Sequence, residues 1–275
     1  MKKTAMKKAK YATLLGTVVF LSACGNNQQA ATTPEATQPA TPSADQSVVR
    51  IATESSFKPF SYLDNQGNLV GFEIDLANAL CSEMKATCEI TSHDWDGLIP
   101  SLNANRFDAI MAGMSATDER RQVVAFSEPY FNNTLVLVAK KDAAVGLADV
   151  DGKTVAVQQA TVSGQYLKDK HPAATVKEYD KQDNAYLDLS AGRVDFMLSD
   201  IVPMLDWLKT EQGVNFEVKG EPIDINDKVA IAIRKDDAAT LEKFNTALAA
   251  LKANGEYDKI VAKYFDLAAM GQSGQ

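Results

Sequence analysis

The chain has 275 residues, with 28 basic and 36 acidic side chains, a formal net charge of −8 and 45% hydrophobic residues. This acidity argues against a nucleic-acid binder, because phosphate contacts need clustered Lys and Arg. It is compatible with a cationic ligand without demanding one.

The first 23 residues read as a signal peptide. Lys2, Lys3, Lys7, Lys8 and Lys10 make a basic start, and Tyr11 to Leu21 make an apolar stretch too short to span a bilayer as a mature helix. The stretch ends in Leu21-Ser22-Ala23-Cys24, which resembles the bacterial lipobox and implies cleavage before Cys24 and lipid on that residue. The alternative is an ordinary secretory signal with an incidental cysteine. Several acyl chains on one residue anchor a protein stably, where a single chain is marginal. Residues 24–46 are Asn, Gln, Ala, Thr, Pro and Ser with almost nothing large, so they cannot bury enough surface to fold and read as a tether. Losing the signal removes five lysines and no acids, which leaves 23 basic against 36 acidic residues and a net charge of −13. The body from Ser47 onward is long enough for two lobes.

Within the body, strands and helices alternate. The pattern predicts a strand at 48–53, a helix at 72–84, a strand at 88–91, a helix at 95–103 and a strand at 109–112. A strand at 134–140 leaves this unit. A second unit follows, with strands at 154–158, 175–179, 195–198, 216–219 and 228–234 and helices at 162–170, 184–191 and 203–210. Helices at 239–254 and 257–265 close the chain. Such alternation implies parallel sheets with right-handed crossovers and ligands beyond the carboxyl ends of strands. Ser55, Trp95, Ser115, Thr161 and Asp200 all fall just after predicted strands. Cys81 and Cys88 sit seven residues apart in an exported chain and read as a disulfide joining the first helix to the next strand; a redox-active pair is the alternative.

Asp108 to Arg121 is the most informative stretch. Asp108–Ala112 reads as a buried strand that stops at Gly113, where backbone can come close to a ligand. Thr117 reads as a helix N-cap followed by Asp118 and Glu119, where the dipole favours acids. Arg120 is a cation in that first turn, disfavoured unless it faces an anion. A Gly-Met-Ser turn with free N–H groups beside such an Arg suits a carboxylate. The plainer alternative is a surface loop whose Arg pairs with a neighbouring acid.

From about Val48 to Phe265 the chain resembles the periplasmic amino-acid-binding proteins of ABC importers, bacterial solute-binding protein family 3. More narrowly it is similar to the arginine-binding and lysine/arginine/ornithine-binding members. The matching motifs are Val70-Gly71-Phe72-Glu73-Ile74-Asp75-Leu76, Cys81 with Cys88, Asp96-Gly97-Leu98-Ile99-Pro100-Ser101-Leu102, Phe107-Asp108-Ala109-Ile110, Ser115-x-Thr117-x-x-Arg120 and Ser127-x-Pro129-Tyr130. Further on come Gln182-x-Asn184-Ala185, Asp188-Leu189-x-x-Gly192-Arg193-x-Asp195, Gly255-x-Tyr257-x-x-Ile260 and Tyr264-Phe265.

The resemblance implies an α/β, two-lobed periplasmic binding protein of type II, with a central, mostly parallel sheet in each lobe and a two-strand hinge near Leu135 and Val229. Lobe one would be 47–134 plus 230–268, lobe two 135–229, and 269–275 a tail. It implies a ligand α-carboxylate held by Arg120 and by N–H groups near Ser115 and Val162. The α-ammonium would be held by the Gly113-Met114-Ser115 turn and Asp200. The side chain would lie between Phe57 and Trp95 with Glu54 meeting its distal charge, and Gln159 and Thr161 offering polar contacts. Phe57 and Trp95 as core aromatics, Asp200 as a helix cap and Glu54 as a solvated rim acid are the structural alternatives. Arginine-binding relatives carry an acid where this chain has Ser115, and the segment 221–227 reads as a shortened turn that helps close the pocket in relatives.

The implied role is an exported, lipid-anchored monomer at the periplasmic face or cell surface. It would capture L-arginine or a related basic amino acid by hinge closure and deliver it to ABC permease subunits in the inner membrane, without cofactor, metal or nucleic acid. Lysine, histidine, ornithine, glutamine or cystine are alternative ligands. A dehydratase-like exported enzyme or a surface adhesin on the same fold are alternatives of another class. Against an enzyme, Ser115 misses the Gly-x-Ser-x-Gly elbow and only His93 and His171 could serve as triad bases. Gly146 with Gly152-Lys153-Thr154 imitates a P-loop but has five intervening residues and leads into a strand.

Overall fold

Apolar runs of four or five residues form the buried strands of this protein, and apolar residues every three or four positions form the helices that cover them. The computed structural model describes residues 47–265. The signal peptide, Cys24, the tether through residue 46 and residues 266–275 lie outside the described residues.

In chain order, the first unit contains β1 (Val48–Thr53), β2 (Ser56–Phe57), β3 (Ser61–Leu63), β4 (Leu69–Val70), α1 (Phe72–Glu83) and β5 (Thr87–Ser92). A 3-10 turn at Trp95–Gly97 leads into α2 (Leu98–Asn103), followed by β6 (Ala109–Ile110), α3 (Asp118–Arg121) and β7 (Val124–Phe126). Next come β8 (Phe131–Lys140), β9 (Thr154–Gln158), α4 (Val162–Lys170), β10 (Thr175–Tyr179), α5 (Gln182–Ser190) and β11 (Phe196–Asp200). The chain continues through α6 (Ile201–Trp207), β12 (Phe216–Val218), β13 (Ile223–Val229), β14 (Ala232–Arg234), α7 (Ala238–Ala253) and α8 (Glu256–Tyr264).

Two mixed sheets form the two lobes. The first runs β5-β1-β6-β14-β7, with β1 parallel to β5 and β6, and β14 antiparallel to both its neighbours. The second runs β10-β9-β11-β8-β12 with β13 also on β8; β9 is parallel to β10 and β11, while β8 is antiparallel to β11, β12 and β13. The second sheet is therefore less parallel than the resemblance implies, because β8 enters it against the βαβ direction. Between the lobes β8 and β13 pair as a ribbon, Phe131 opposite Val229 and Asn133 opposite Asp227.

Several boundaries differ from the sequence reading. The expected strand at 228–234 is two strands in different sheets, broken at Ala230–Ile231. Residues 223–227, read within a turn, belong to β13, which has a bulge between Ile223 and Asp227, where Asn226 has φ +54°. β2, β3 and β4 form an unanticipated small sheet; two or three residues are too few to display a period of two. Helix α6 starts at Ile201, immediately after Asp200, and contains Pro203 in its first turn, where the missing N–H costs no helix bond.

One large buried cluster spans both units, and two smaller clusters flank it. Ile51 and Ala52 of β1, Leu76 and Leu80 of α1, and Met197 and Leu198 of β11 are all fully buried. Each of the larger of these side chains contributes about 1.5–3 kcal/mol by leaving water. Under the small sheet, Phe60 stacks on Phe57 with centroids 5.3 Å apart and meets Phe131 edge-on at 5.2 Å. This packing gives Phe57 a fixed seat. Cys81 of α1 and Cys88 of β5 form a disulfide with Cα atoms 5.8 Å apart.

Candidate functional site

The local chemistry of 113–120 starts the site. Thr117 Oγ1 accepts from Arg120 N at 3.2 Å and so caps α3, with Asp118 and Glu119 in its first turn. The Arg120 side chain turns back across the cleft. Its Nη1 donates to Ser115 O and its Nη2 to Ala160 O, both at 2.8 Å, and its guanidinium lies 5.3 Å from the Trp95 ring centre. The charges of Asp227, Asp200 and Glu119 reach it through space. No direct ion pair to Arg120 forms among the described residues, so the neighbouring-acid alternative does not hold.

Gly113 occupies a left-handed conformation, φ +62°, and a Cβ there would lie 2.4 Å from the Phe57 ring. Only glycine allows that approach. Its N–H is not free, contrary to the sequence reading: it donates to Glu73 Oε1 at 2.6 Å, and Tyr130 OH donates to the same oxygen. Burial pushes the Glu73 carboxyl up to about 7. The turn is thus held from behind by an acid inside lobe one.

Around the cleft, the lining residues include Glu54, Phe57, Trp95, Gly113, Ser115, Arg120, Thr161, Val162 and Asp200, which the sequence reading had named. Glu54 is only 4% exposed, so it is no solvated rim acid. Burial pushes its carboxyl up to about 7, against a hydrogen bond from Gln158 Nε2 at 3.1 Å. Asp200 ends β11 at the N-cap position of α6 yet makes no side-chain cap bond. Burial, and then the charge of Asp227, push its carboxyl up to about 7, while Asn133 and Arg120 oppose the shift. Opposite, α4 begins at Val162 with Thr161 before it, and its N-terminus presents the positive end of the helix dipole beside Arg120.

Two named residues lie elsewhere. Met114 is buried in the core with Trp95, Leu98 and Ala112. Gln159 sits on the rim, where its Nε2 donates to Asp96 Oδ2 at 3.1 Å and its carbonyl accepts from Trp95 Nε1 at 3.0 Å. Gln158, the last residue of β9, lines the cleft instead of Gln159, and Ala112 lines it two residues before Met114. Gln182 and Ser199, linked at 2.9 Å, also line the cleft; the motif Gln182-x-Asn184-Ala185 was the available signal for the first. Ser55 lines adjoining cavities. Trp95 belongs both to the cleft and to the core.

The site offers a cation and a helix N-terminus, a buried carboxyl at Glu54 and a half-buried one at Asp200, and the rings of Phe57 and Trp95. Ser115 Oγ donates to Asp227 Oδ2 at 2.9 Å. His93 pairs with Thr91 and His171 lies beside Asp151, so neither histidine activates Ser115.

The family model described as bacterial extracellular solute-binding proteins, family 3, matches residues 49–267. The "ABC transporter arginine-binding protein 1" of Escherichia coli (strain K12) is 40% identical over 219 residues, covering 79% of this chain and 90% of that protein. The "Lysine/arginine/ornithine-binding periplasmic protein" of the same strain is 38% identical over 232 residues, covering 81% and 89%. A solved structure described as an ancestral arginine-binding protein bound to arginine aligns with TM-score 0.76 at 38% identity, covering 80% of this chain and 99% of its own.

Proposed function

The chain belongs to the bacterial extracellular solute-binding proteins of family 3, and from that premise we propose that it captures L-arginine in the cleft for an ABC importer. The observation that carries this reading is the Arg120 guanidinium. It faces the cleft with carbonyls as its only hydrogen-bond partners among the described residues, opposite Asp200, a carboxyl left uncommitted by its own helix.

An amino acid's carboxylate satisfies Arg120 and the α4 N-terminus, since Arg offers a two-pronged fork. Its ammonium satisfies Asp200 and the Ser115 turn. The long methylene chain lies between Phe57 and Trp95, and a distal guanidinium meets Glu54; cation–π contacts there contribute about 0.5–2 kcal/mol. Because Arg120 belongs to lobe one and Asp200 to lobe two, both are satisfied together only when the lobes close on the ligand. Differential affinity for that form drives closure about β8 and β13. The mature protein is a monomer anchored through lipid on Cys24, and its closed form is read by the permease. It binds its ligand without turning it over.

The test is a thermal-shift screen of refolded mature protein against all amino acids, with mass spectrometry of the recovered ligand. Ligand at 100 times its Kd adds about 2.7 kcal/mol to stability. A shift with arginine, smaller with lysine, histidine or ornithine, and unaltered ligand is the expected result. A shift only with glutamine or cystine overturns the role of Glu54, and converted ligand overturns the binding-only reading.

A further inference from the structure

Asp227 has no part in the site as the sequence suggests it. The bulge in β13, with Asn226 at φ +54°, turns Asp227 inward, where it is 7% exposed. One of its oxygens, Oδ2, accepts both Ser115 Oγ at 2.9 Å and Asn133 Nδ2 at 2.8 Å. Asn133 and Asp227 face each other in the ribbon that joins the lobes. Ser115, 4% exposed, lines the cleft.

A hydroxyl has one proton and two lone pairs. At Ser115 the proton is committed to Asp227, so what the oxygen can offer the cleft is a lone pair. A lone pair accepts from a cation and repels an anion. We propose that Asp227 is a positioning residue that fixes the proton of Ser115 Oγ, and thereby makes this hydroxyl an acceptor reserved for the ligand's α-ammonium. Asp227 acts through Ser115, since it does not itself line the cleft. This inference rests on the amino-acid-binding reading and extends it to the choice between amino acids and their analogues without an amino group. The charge of Asp227 also reaches Asp200 and Arg120, which places it within range of both ends of the α-carbon subsite.

The experiment compares L-arginine with 5-guanidinopentanoate, the same molecule without its α-amino group, by titration calorimetry on wild type and Asp227→Leu. A Leu fills similar space but accepts no hydrogen bond, which frees the hydroxyl proton of Ser115 to turn toward the cleft. Arginine then binds about tenfold or more weakly, while 5-guanidinopentanoate changes by less than about twofold. Ser115→Ala gives the same narrowing of preference, and in its background Asp227→Leu has no further effect on it. Equal losses for both ligands, or no loss for either, overturn the proposal. If Asp227→Leu does not fold, Ser115→Ala alone reads the same ratio, and an unchanged preference there overturns it too. Wild-type protein that ignores arginine refutes the arginine reading alone. The comparison then runs on the amino acid that does bind and its desamino analogue, with the same two outcomes.

Discussion

Arginine affinity depends on pH through Glu54 and Asp200. Burial raises both carboxyls to about 7, so both hold a proton over part of the physiological range. Each must lose it to accept a cationic group, while the guanidinium of arginine stays charged throughout. The sign follows: protons compete with ligand below about 7, and affinity rises with pH and levels off above it. With one such group, the competent fraction at a pH one unit below its pKa is about one in eleven, a roughly tenfold loss relative to about pH 8. Two groups acting together give up to about a hundredfold. Glu73 also sits at about 7 but touches Gly113 and Tyr130 from inside lobe one, so it meets no ligand group and acts on binding only through its charge on Glu54. The assay is calorimetry at about pH 6 and about pH 8, in buffers of different ionisation heat, to count protons released on binding. Wild type releases between one and two near pH 6, and Glu54→Gln roughly one, with its pH dependence reduced to about tenfold. An affinity flat across this range, or a Glu54→Gln slope equal to wild type, refutes the reasoning.

Other substitutions test the remaining parts. Arg120→Ala removes the bonds to Ser115 O and Ala160 O and the contact with Trp95, and Asp200→Ala removes the acid opposite; each costs arginine binding about a hundredfold or more, and calorimetry showing affinity within a few-fold of wild type rules the assignment out. Gly113→Ala drives a Cβ into the Phe57 ring at a positive φ, so it lowers the melting temperature by several degrees and weakens binding even in the folded fraction; an unchanged melting curve contradicts the geometry. Replacing Cys81 and Cys88 together by Ala, which opens a short loop, lowers stability by roughly 2–3 kcal/mol with ligand affinity intact. A variant as stable as wild type in denaturant titration shows that the link is dispensable.

Local features were legible because their causes are local. Thr117 caps Arg120 from three residues away, so the start of α3 follows from four side chains. Gly113 was identifiable because a strand that ends at a glycine invites close approach. The unbroken apolar run Val155–Val157 marks β9 as buried on both faces, but which side chain at its end faces the cleft depends on where the strand stops. That is why Gln158, and not Gln159, reaches Glu54. The short strands β2 to β4 have no period to read and were invisible, although they seat Phe57.

Taken alone, the sequence determined the alternation of strands and helices, the family, and which segments carry the cleft. Each of these is set by side-chain periodicity and by motifs a few residues long. Only the tertiary structure decided which atoms are free. It committed the Gly113 N–H to Glu73, left Asp200 uncapped, and buried Glu54 beside Gln158. It also joined Ser115 to Asp227 across 112 residues and Asn133 to Asp227 across 94. No local pattern encodes such pairs, because a hydrogen bond between distant segments exists only after the sheets have packed and water has been excluded.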